Sequence, residues 1–412
     1  MTGGVVIVGS GQAGTTVATS LRDRGFDGTI TLVGNEPHLP YERPPLSKQY
    51  LVDPESQLDL NLRPADFYRA RKIRLQLGRN AVAIDRGKQS VLLDDGQTLA
   101  YTVLVLATGT RPLVPEWPGK TLRGVHVLRT IDDAHRLREE MASSHHMTAI
   151  GGGFIGMELA AAAQKLGIES CVLDIADRIL QRAVTPTTSE YLTTFHRQRG
   201  TALHLGAGLS EIVGTNDRVS AVLTTTGQRI GTDIVVLAVG VRPNTDLASA
   251  AGLDVDNGVV VDGCLRTRDP RIFAIGDCAN FPDKLAGGRL RLESVQAATD
   301  QARLVADQVV GEEVDEYHAV PWFWSHQGPM KLQIAGYTDS SDTDIVRGDP
   351  TSGKFSVYRY ADGRLRAVES INRPADHVVA RRLLAAGVSP TAEELTATTD
   401  LRSLIPPAAI TV

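Results

Sequence analysis

The chain carries the same short pattern twice: an apolar strand, a glycine turn and the start of a helix. Val6-Ile7-Val8-Gly9-Ser10-Gly11-Gln12-Ala13-Gly14 returns about 140 residues later as Ala149-Ile150-Gly151-Gly152-Gly153-Phe154-Ile155-Gly156. In such a unit the first glycine permits a tight turn and the second lets a pyrophosphate approach the backbone. The third lets the helix pack close to the strand. Phosphates then meet free amides and the positive end of the helix dipole. Gly9, Gly11 and Gly14 are therefore expected to bind one dinucleotide, and Gly151, Gly153 and Gly156 another. Two copies imply two dinucleotide-binding domains.

The residues downstream suggest which dinucleotides these are. Glu36 stands 22 positions after Gly14 and suits a ribose hydroxyl. Asp174 ends a strand 18 positions after Gly156. A carboxylate there accepts ribose hydroxyls and repels a 2′-phosphate, so NADH is expected over NADPH, although Arg178 lies four residues on. Ile155, within the second fingerprint, and Gly240, after an apolar run, are counted with the NAD site. Leu104-Val105-Leu106-Ala107-Thr108-Gly109 and Ile272-Phe273-Ala274-Ile275-Gly276-Asp277 are buried-strand patterns ending in small residues. Together they suit the walls of a flavin site.

Short β-branched runs alternate with amphipathic stretches, the signature of parallel sheets with crossover helices. Strands are predicted at Val5–Val8, Thr29–Val33, Val103–Ala107, Met147–Ile150, Ser170–Leu173, Ile234–Val239 and Ile272–Ile275. Helices are predicted at Ala13–Arg24, Asp132–Met141, Gly156–Leu166 and Pro186–Arg199. Beyond about residue 320 the texture changes, with Trp322-Phe323-Trp324 followed by strand-like pieces at Leu332–Ala335, Asp344–Arg347 and Phe355–Tyr360. The fold class is thus α/β, with two Rossmann-like domains and a small α+β C-terminal domain ending in a surface tail at Pro406-Pro407.

A net charge of −5 argues against nucleic acid as a partner. Cys171, Cys264 and Cys278 form no C-x-x-C, which excludes a structural zinc, a protein-held iron–sulfur cluster and a redox-active disulfide. No metal site is expected, and His145-His146 reads as a surface pair. The N-terminus shows no secretion signal and no apolar stretch approaches a membrane span, so a soluble cytoplasmic protein is expected.

Further motifs are Tyr41-Glu42-Arg43-Pro44-Pro45-Leu46-Ser47-Lys48, Arg291-Leu292-Glu293-Ser294-Val295-Gln296, Val320-Pro321-Trp322-Phe323-Trp324-Ser325 and Ile371-Asn372-Arg373-Pro374. With the fingerprints, they make the chain resemble the FAD-dependent ferredoxin reductases of bacterial oxygenase systems, of the putidaredoxin reductase and rhodocoxin reductase type. The resemblance runs from Val5 to about Arg382. It implies a glutathione-reductase-like fold with an FAD domain (1–112 and 243–319), an inserted NAD domain (113–242) and a C-terminal domain (320–412). It also implies FAD contacts at Gly11, Ala13, Asn35, Arg43, Lys48, Val82, Arg129, Asp277 and Val295, with Arg129 on the pyrophosphate. Lys48 is implied beside the flavin N5, Glu158 toward the nicotinamide, and Trp322 and Trp324 at the edge where electrons leave. His326 and Gln327-Gly328-Pro329 depart from the family pattern near that edge.

The activity implied is hydride transfer from NADH to FAD, then single-electron transfer to a two-iron two-sulfur ferredoxin. That ferredoxin feeds a haem monooxygenase or ring-hydroxylating dioxygenase. Two other activities suit the same pattern: a rubredoxin reductase, and an NADH-sensing flavoprotein resembling apoptosis-inducing factor. A thiol-dependent reductase of this fold needs a cysteine near Pro44 to Lys48, and no cysteine precedes position 171.

Overall fold

The computed structural model describes residues 4–53, 59–284, 287–338 and 341–406, so Pro407 of the expected tail lies outside the described residues. The chain divides into two compact units. One comprises Met1–Glu42, Asp59–Arg111 and Arg242–Pro321; the other comprises Arg43–Leu58, Pro112–Val241 and Trp322–Val412.

In the first unit five strands form a parallel sheet in the order Ile272–Ala274, Val103–Leu106, Val5–Val8, Ile30–Gly34, Ile73–Leu77. Val5–Val8 is buried along its whole length, as a central parallel strand must be when helices cover both faces. Gln12–Asp23 is the helix that follows the fingerprint, and Val295–Val310 is a second long helix of this unit. The second helix starts on Ser294, whose hydroxyl accepts the Ala297 amide, and stops at Gly311, whose φ of 97° is left-handed. A three-stranded antiparallel meander, Ala81–Asp85, Ser90–Leu93 and Thr98–Ala100, also belongs here.

The second unit repeats the plan. Its parallel sheet runs Ala202–Leu205, Glu169–Asp174, His146–Ile150, Ile234–Leu237, Val125–His126. In both sheets the strand before the fingerprint is central, with strands added on either side. Chain order reverses there, so a crevice opens at its carboxyl end. The unit also holds an antiparallel sheet in the order Trp322–Gln327, Met330–Gly336, Arg364–Ile371, Lys354–Ala361, Thr343–Asp349. One core joins the two sheets. Met157, Val172, Ile179 and Leu192 pack in a cluster with Leu332, Phe355 and Val357, and each large apolar side chain buried there contributes about 1.5–3 kcal/mol.

Two buried polar groups accompany that core. The Glu369 carboxylate, fully buried, accepts the Thr185 amide and hydroxyl at 2.8 Å each and lies 3.4 Å from the Arg359 guanidinium. Thr185 caps the helix Pro186–Gln198, so Glu369 ties that helix to the antiparallel sheet. His377, on the helix Pro374–Ala385, is 2% exposed, and neither ring nitrogen has a hydrogen-bond partner among the described residues. Burial, reinforced by the Arg381 charge, pushes its pKa from 6.5 down to about 4.

The unfolded chain therefore takes up a proton at His377 between pH 6.5 and about 4, while the folded chain does not. Stability from this group is complete above pH 6.5 and drains away as pH falls toward 4. The full loss amounts to about 3 kcal/mol. Urea unfolding midpoints should drop between pH 7.5 and 5, and His377→Leu should flatten that slope. A variant as acid-sensitive as the parent would place the lability elsewhere.

Candidate functional site

The two glycine turns share one geometry. Gly9 and Gly151 have φ of 114° and 110°, a region that side chains disfavour. A Cβ on Gly9 would lie 2.0 Å from the Ala107 carbonyl oxygen, and one on Gly151 would lie 2.4 Å from that of Ala238. A Cβ on Gly14 would meet the Gly9 oxygen at 1.8 Å, and on Gly156 the Gly151 oxygen at 1.9 Å. Gly11 and Gly153 differ, since a Cβ there would meet no atom within 4 Å. Each turn is thus closed on its strand and helix sides and open in front of its middle glycine. That is the space a diphosphate needs, and neither helix carries an acidic residue in its first turn to oppose it.

Around the first turn the structure brings several expected residues together. Gly276 has a φ of 71° and packs over Ala13, its would-be Cβ 3.1 Å from the Ala13 methyl. The Gly276 amide donates to the buried Gln301 side chain at 2.7 Å. Thr108 and Gly109 are clamped by Asn244: the Thr108 hydroxyl donates to its carbonyl at 2.7 Å, and its side-chain amide donates to the Thr108 carbonyl at 2.8 Å. The Asn244 backbone amide donates to the Gly109 carbonyl at 2.9 Å. The Thr110 hydroxyl reaches the Asp277 carboxylate at 3.5 Å. Glu36 is half-buried and accepts the Tyr41 hydroxyl. Val295 opens its helix. Asn35 is exposed, and Val82, 50% exposed, stands apart in the three-stranded meander.

Around the second turn, the Asp174 carboxylate accepts the Gly152 amide at 2.5 Å and the Ala176 amide at 2.8 Å, which fixes it beside the fingerprint. The Arg178 guanidinium donates to the Val184 and Gln181 carbonyls at 2.7 and 2.9 Å. Ile155 is 39% exposed, and Gly240, with φ of 114°, faces open space.

The second unit also joins residues far apart in sequence. The Lys48 ammonium is 2.7 Å from the Glu158 carboxylate and donates to the Pro44 carbonyl at 3.0 Å. Glu158 is 3% exposed, and Ser47 and Ser325 also donate to it, Ser325 at 2.7 Å. A buried carboxylate with an ammonium and two hydroxyls has the partners that buried charge requires. Arg43 donates to the Arg129 carbonyl at 2.6 Å, and Arg129 precedes a helix capped by Thr130 and Asp133. The Trp322 and Trp324 ring centroids lie 5.5 Å apart, with the Arg381 guanidinium 4.5 Å from the Trp322 ring centroid. His326 is exposed on the same strand.

All three cysteines are free thiols. Burial pushes Cys171 up to about 11 and raises Cys278 as well, so neither offers a thiolate near neutral pH. Among the described residues there is no cluster able to hold a metal, and His145 and His146 instead turn their amides onto Asp233. No described helix is long and apolar enough to cross a membrane.

Residues 3–302 match the pyridine nucleotide-disulphide oxidoreductase family, and residues 322–405 match the reductase C-terminal family. The chain belongs to the pyridine nucleotide-disulphide oxidoreductase family. Rhodocoxin reductase of Rhodococcus erythropolis is 47% identical over 390 residues, covering 95% of this chain and 91% of that one. A ferredoxin reductase structure from Rhodopseudomonas palustris superposes with a TM-score of 0.94 at 43% identity, over 98% of this chain and all of that one. Putidaredoxin reductase, in its covalent complex with putidaredoxin, gives 0.95 at 37% identity over 100% and 99% of the two chains. The protein is an oxidoreductase whose cofactors are FAD and NAD(H). The two turns, each with room for a diphosphate, fit those groups.

The sequence reading left out Ser47, Ser325, Gln327, His196 and Asn244 as site residues. The one available signal was period-two alternation in Trp322-Phe323-Trp324-Ser325-His326-Gln327, which puts Ser325 and Gln327 on one face.

Proposed function

We propose that this chain is an NADH-dependent reductase of a two-iron two-sulfur ferredoxin that feeds an oxygenase, a haem monooxygenase or a ring-hydroxylating dioxygenase. The observation carrying this reading is the pair of matched glycine turns in a chain whose three cysteines form no disulfide. FAD is assigned to 1–112 and 243–319, NADH to 113–242, and the remaining residues from 320 to the C-terminal domain. In this reading the enzyme works in the cytoplasm, where NADH is regenerated.

The chemistry that a bound FAD would supply is the conversion of a two-electron hydride donor, NADH, into a source of single electrons. The chain's own groups bind and align. Gly9, Gly11 and Gly14 receive the FAD diphosphate; the family resemblance adds Arg129 as a diphosphate contact and Arg43 as an FAD contact. Ala13, Asn35, Glu36, Val82, Ala107, Thr108, Gly109, Gly276, Asp277 and Val295 line the rest of the seat. Gly151, Gly153, Ile155, Gly156 and Gly240 receive NADH. Lys48 supplies positive charge toward the flavin, and Glu158 orients the nicotinamide. Both roles concern alignment and electrostatics, which is what hydride transfer demands. Trp322 and Trp324 form the edge toward the acceptor.

Coenzyme choice rests on Asp174, braced by two backbone amides, and on Arg178, whose guanidinium is committed to Val184 and Gln181. Asp174→Ala should cut the preference for NADH over NADPH by about 10–100-fold, the worth of one or two hydrogen bonds to a charged group. The ratio of kcat/KM for the two coenzymes measures it, and an unchanged ratio would move the choice to another residue. The acceptor is tested by mixing protein, NADH and an oxidised two-iron two-sulfur ferredoxin under nitrogen. Reduction of the ferredoxin is expected. A bleached flavin beside a ferredoxin that stays oxidised would refute this acceptor.

A further inference from the structure

Behind Glu158 runs a buried line of polar side chains. Ser325 Oγ lies 2.7 Å from Glu158 Oε1, Gln327 Nε2 lies 3.3 Å from Ser325 Oγ, and His196 Nε2 lies 2.7 Å from Gln327 Oε1. Ser325, Gln327 and His196 are each fully buried. The carboxylate fixes the direction of every proton. An ionised carboxylate only accepts, so the Ser325 hydroxyl donates to it, and the serine lone pair takes the Gln327 amide. The Gln327 carbonyl then faces His196, which donates from Nε2 as a neutral ring; burial disfavours its charged form.

The two carboxylate oxygens are unequally filled. Oε2 receives Ser47 and the Lys48 ammonium, while Oε1 receives Ser325 alone among the described residues. Each oxygen has two lone pairs, so the acceptor capacity left for a further donor lies on Oε1, the oxygen that Ser325 aims.

We infer that Ser325 and Gln327, backed by His196, are positioning residues that hold Glu158 so that Oε1 receives the amide of the nicotinamide. This rests on the assignment of Glu158 to the nicotinamide. On that basis Lys48 and Ser47 fix one carboxylate oxygen and the line from His196 fixes the other, so the carboxylate plane is set from both sides.

The test uses holoenzyme reduced with dithionite and titrated with NAD+, following the long-wavelength charge-transfer absorbance of stacked reduced flavin and NAD+. Ser325→Ala should reduce that absorbance by half or more and slow flavin reduction by NADH about 10-fold, the effect of losing one aimed hydrogen bond. Ser325→Thr, which keeps the hydroxyl, should restore both. Gln327→Met should slow reduction about 3-fold, and combining it with Ser325→Ala should add nothing, because both act through one oxygen. Full absorbance and an unchanged rate in Ser325→Ala, with only a lower melting temperature, would overturn the inference. If Ser325→Ala fails to hold flavin, an unaltered Gln327→Met enzyme would overturn it equally. A wild-type enzyme that gives no such absorbance with NAD+ would bring down the assignment of Glu158, and the inference with it.

Discussion

A Gly151→Ala variant is expected to purify yellow and to stay yellow when NADH is added. Gly151 holds φ at 110°, and an added Cβ would sit 2.4 Å from the Ala238 carbonyl oxygen, so the turn must open or the neighbouring strand must move. Either change displaces the Gly153 amide from the diphosphate. Backbone strain of about 1–3 kcal/mol, together with the lost amide contact, should weaken NADH binding about 100-fold. The matching Gly9→Ala change, with its Cβ 2.0 Å from Ala107, should instead give a colourless protein. Flavin content and NADH-driven bleaching of the two variants separate the seats. Loss of flavin in Gly151→Ala with NADH binding intact would reverse the assignment.

Glu369→Ala is expected to destabilise the unit that contains it by about 3–5 kcal/mol, the cost of leaving a buried charge without its partner. The charge left behind belongs to Arg359, whose Nε already lacks a partner among the described residues. The helix starting at Thr185 also loses two hydrogen bonds to the sheet. Removing both charges in Glu369→Leu with Arg359→Met should recover much of the loss, because apolar packing replaces the pair. Urea unfolding of the single and double variants measures this. A single variant within about 1 kcal/mol of the parent would mean that the carboxylate is dispensable.

The elements that position the site were legible because their signals are local. Each fingerprint states its strand, turn and helix within about ten residues. Val5–Val8 and Pro186–Gln198 lie within one residue of where the pattern puts them. The 16-residue helix Val295–Val310 was missed despite Ser294 and Gly311 marking its ends, because Gln296, Gln301 and Gln308 interrupt the alanines and valines of its buried stripe. The meander at Ala81–Asp85 was missed because its half-exposed strands show no clean alternation.

The Lys48–Glu158 contact was beyond any local signal. The two residues are 110 positions apart, and only the folded second unit brings Pro44–Ser47, the helix Phe154–Lys165 and the strand Trp322–Gln327 onto one carboxylate. Resemblance supplied the names of the two residues. That they form a buried ion pair held by Ser47 and Ser325 is visible only in three dimensions.

Anaerobic titration of the purified yellow protein with NADH is the most direct test that one chain seats both dinucleotides for hydride transfer. Stoichiometric loss of the flavin colour, complete near one NADH per chain, is the expected result. A flavin that keeps its colour in excess NADH, while dithionite still reduces it, would contradict it.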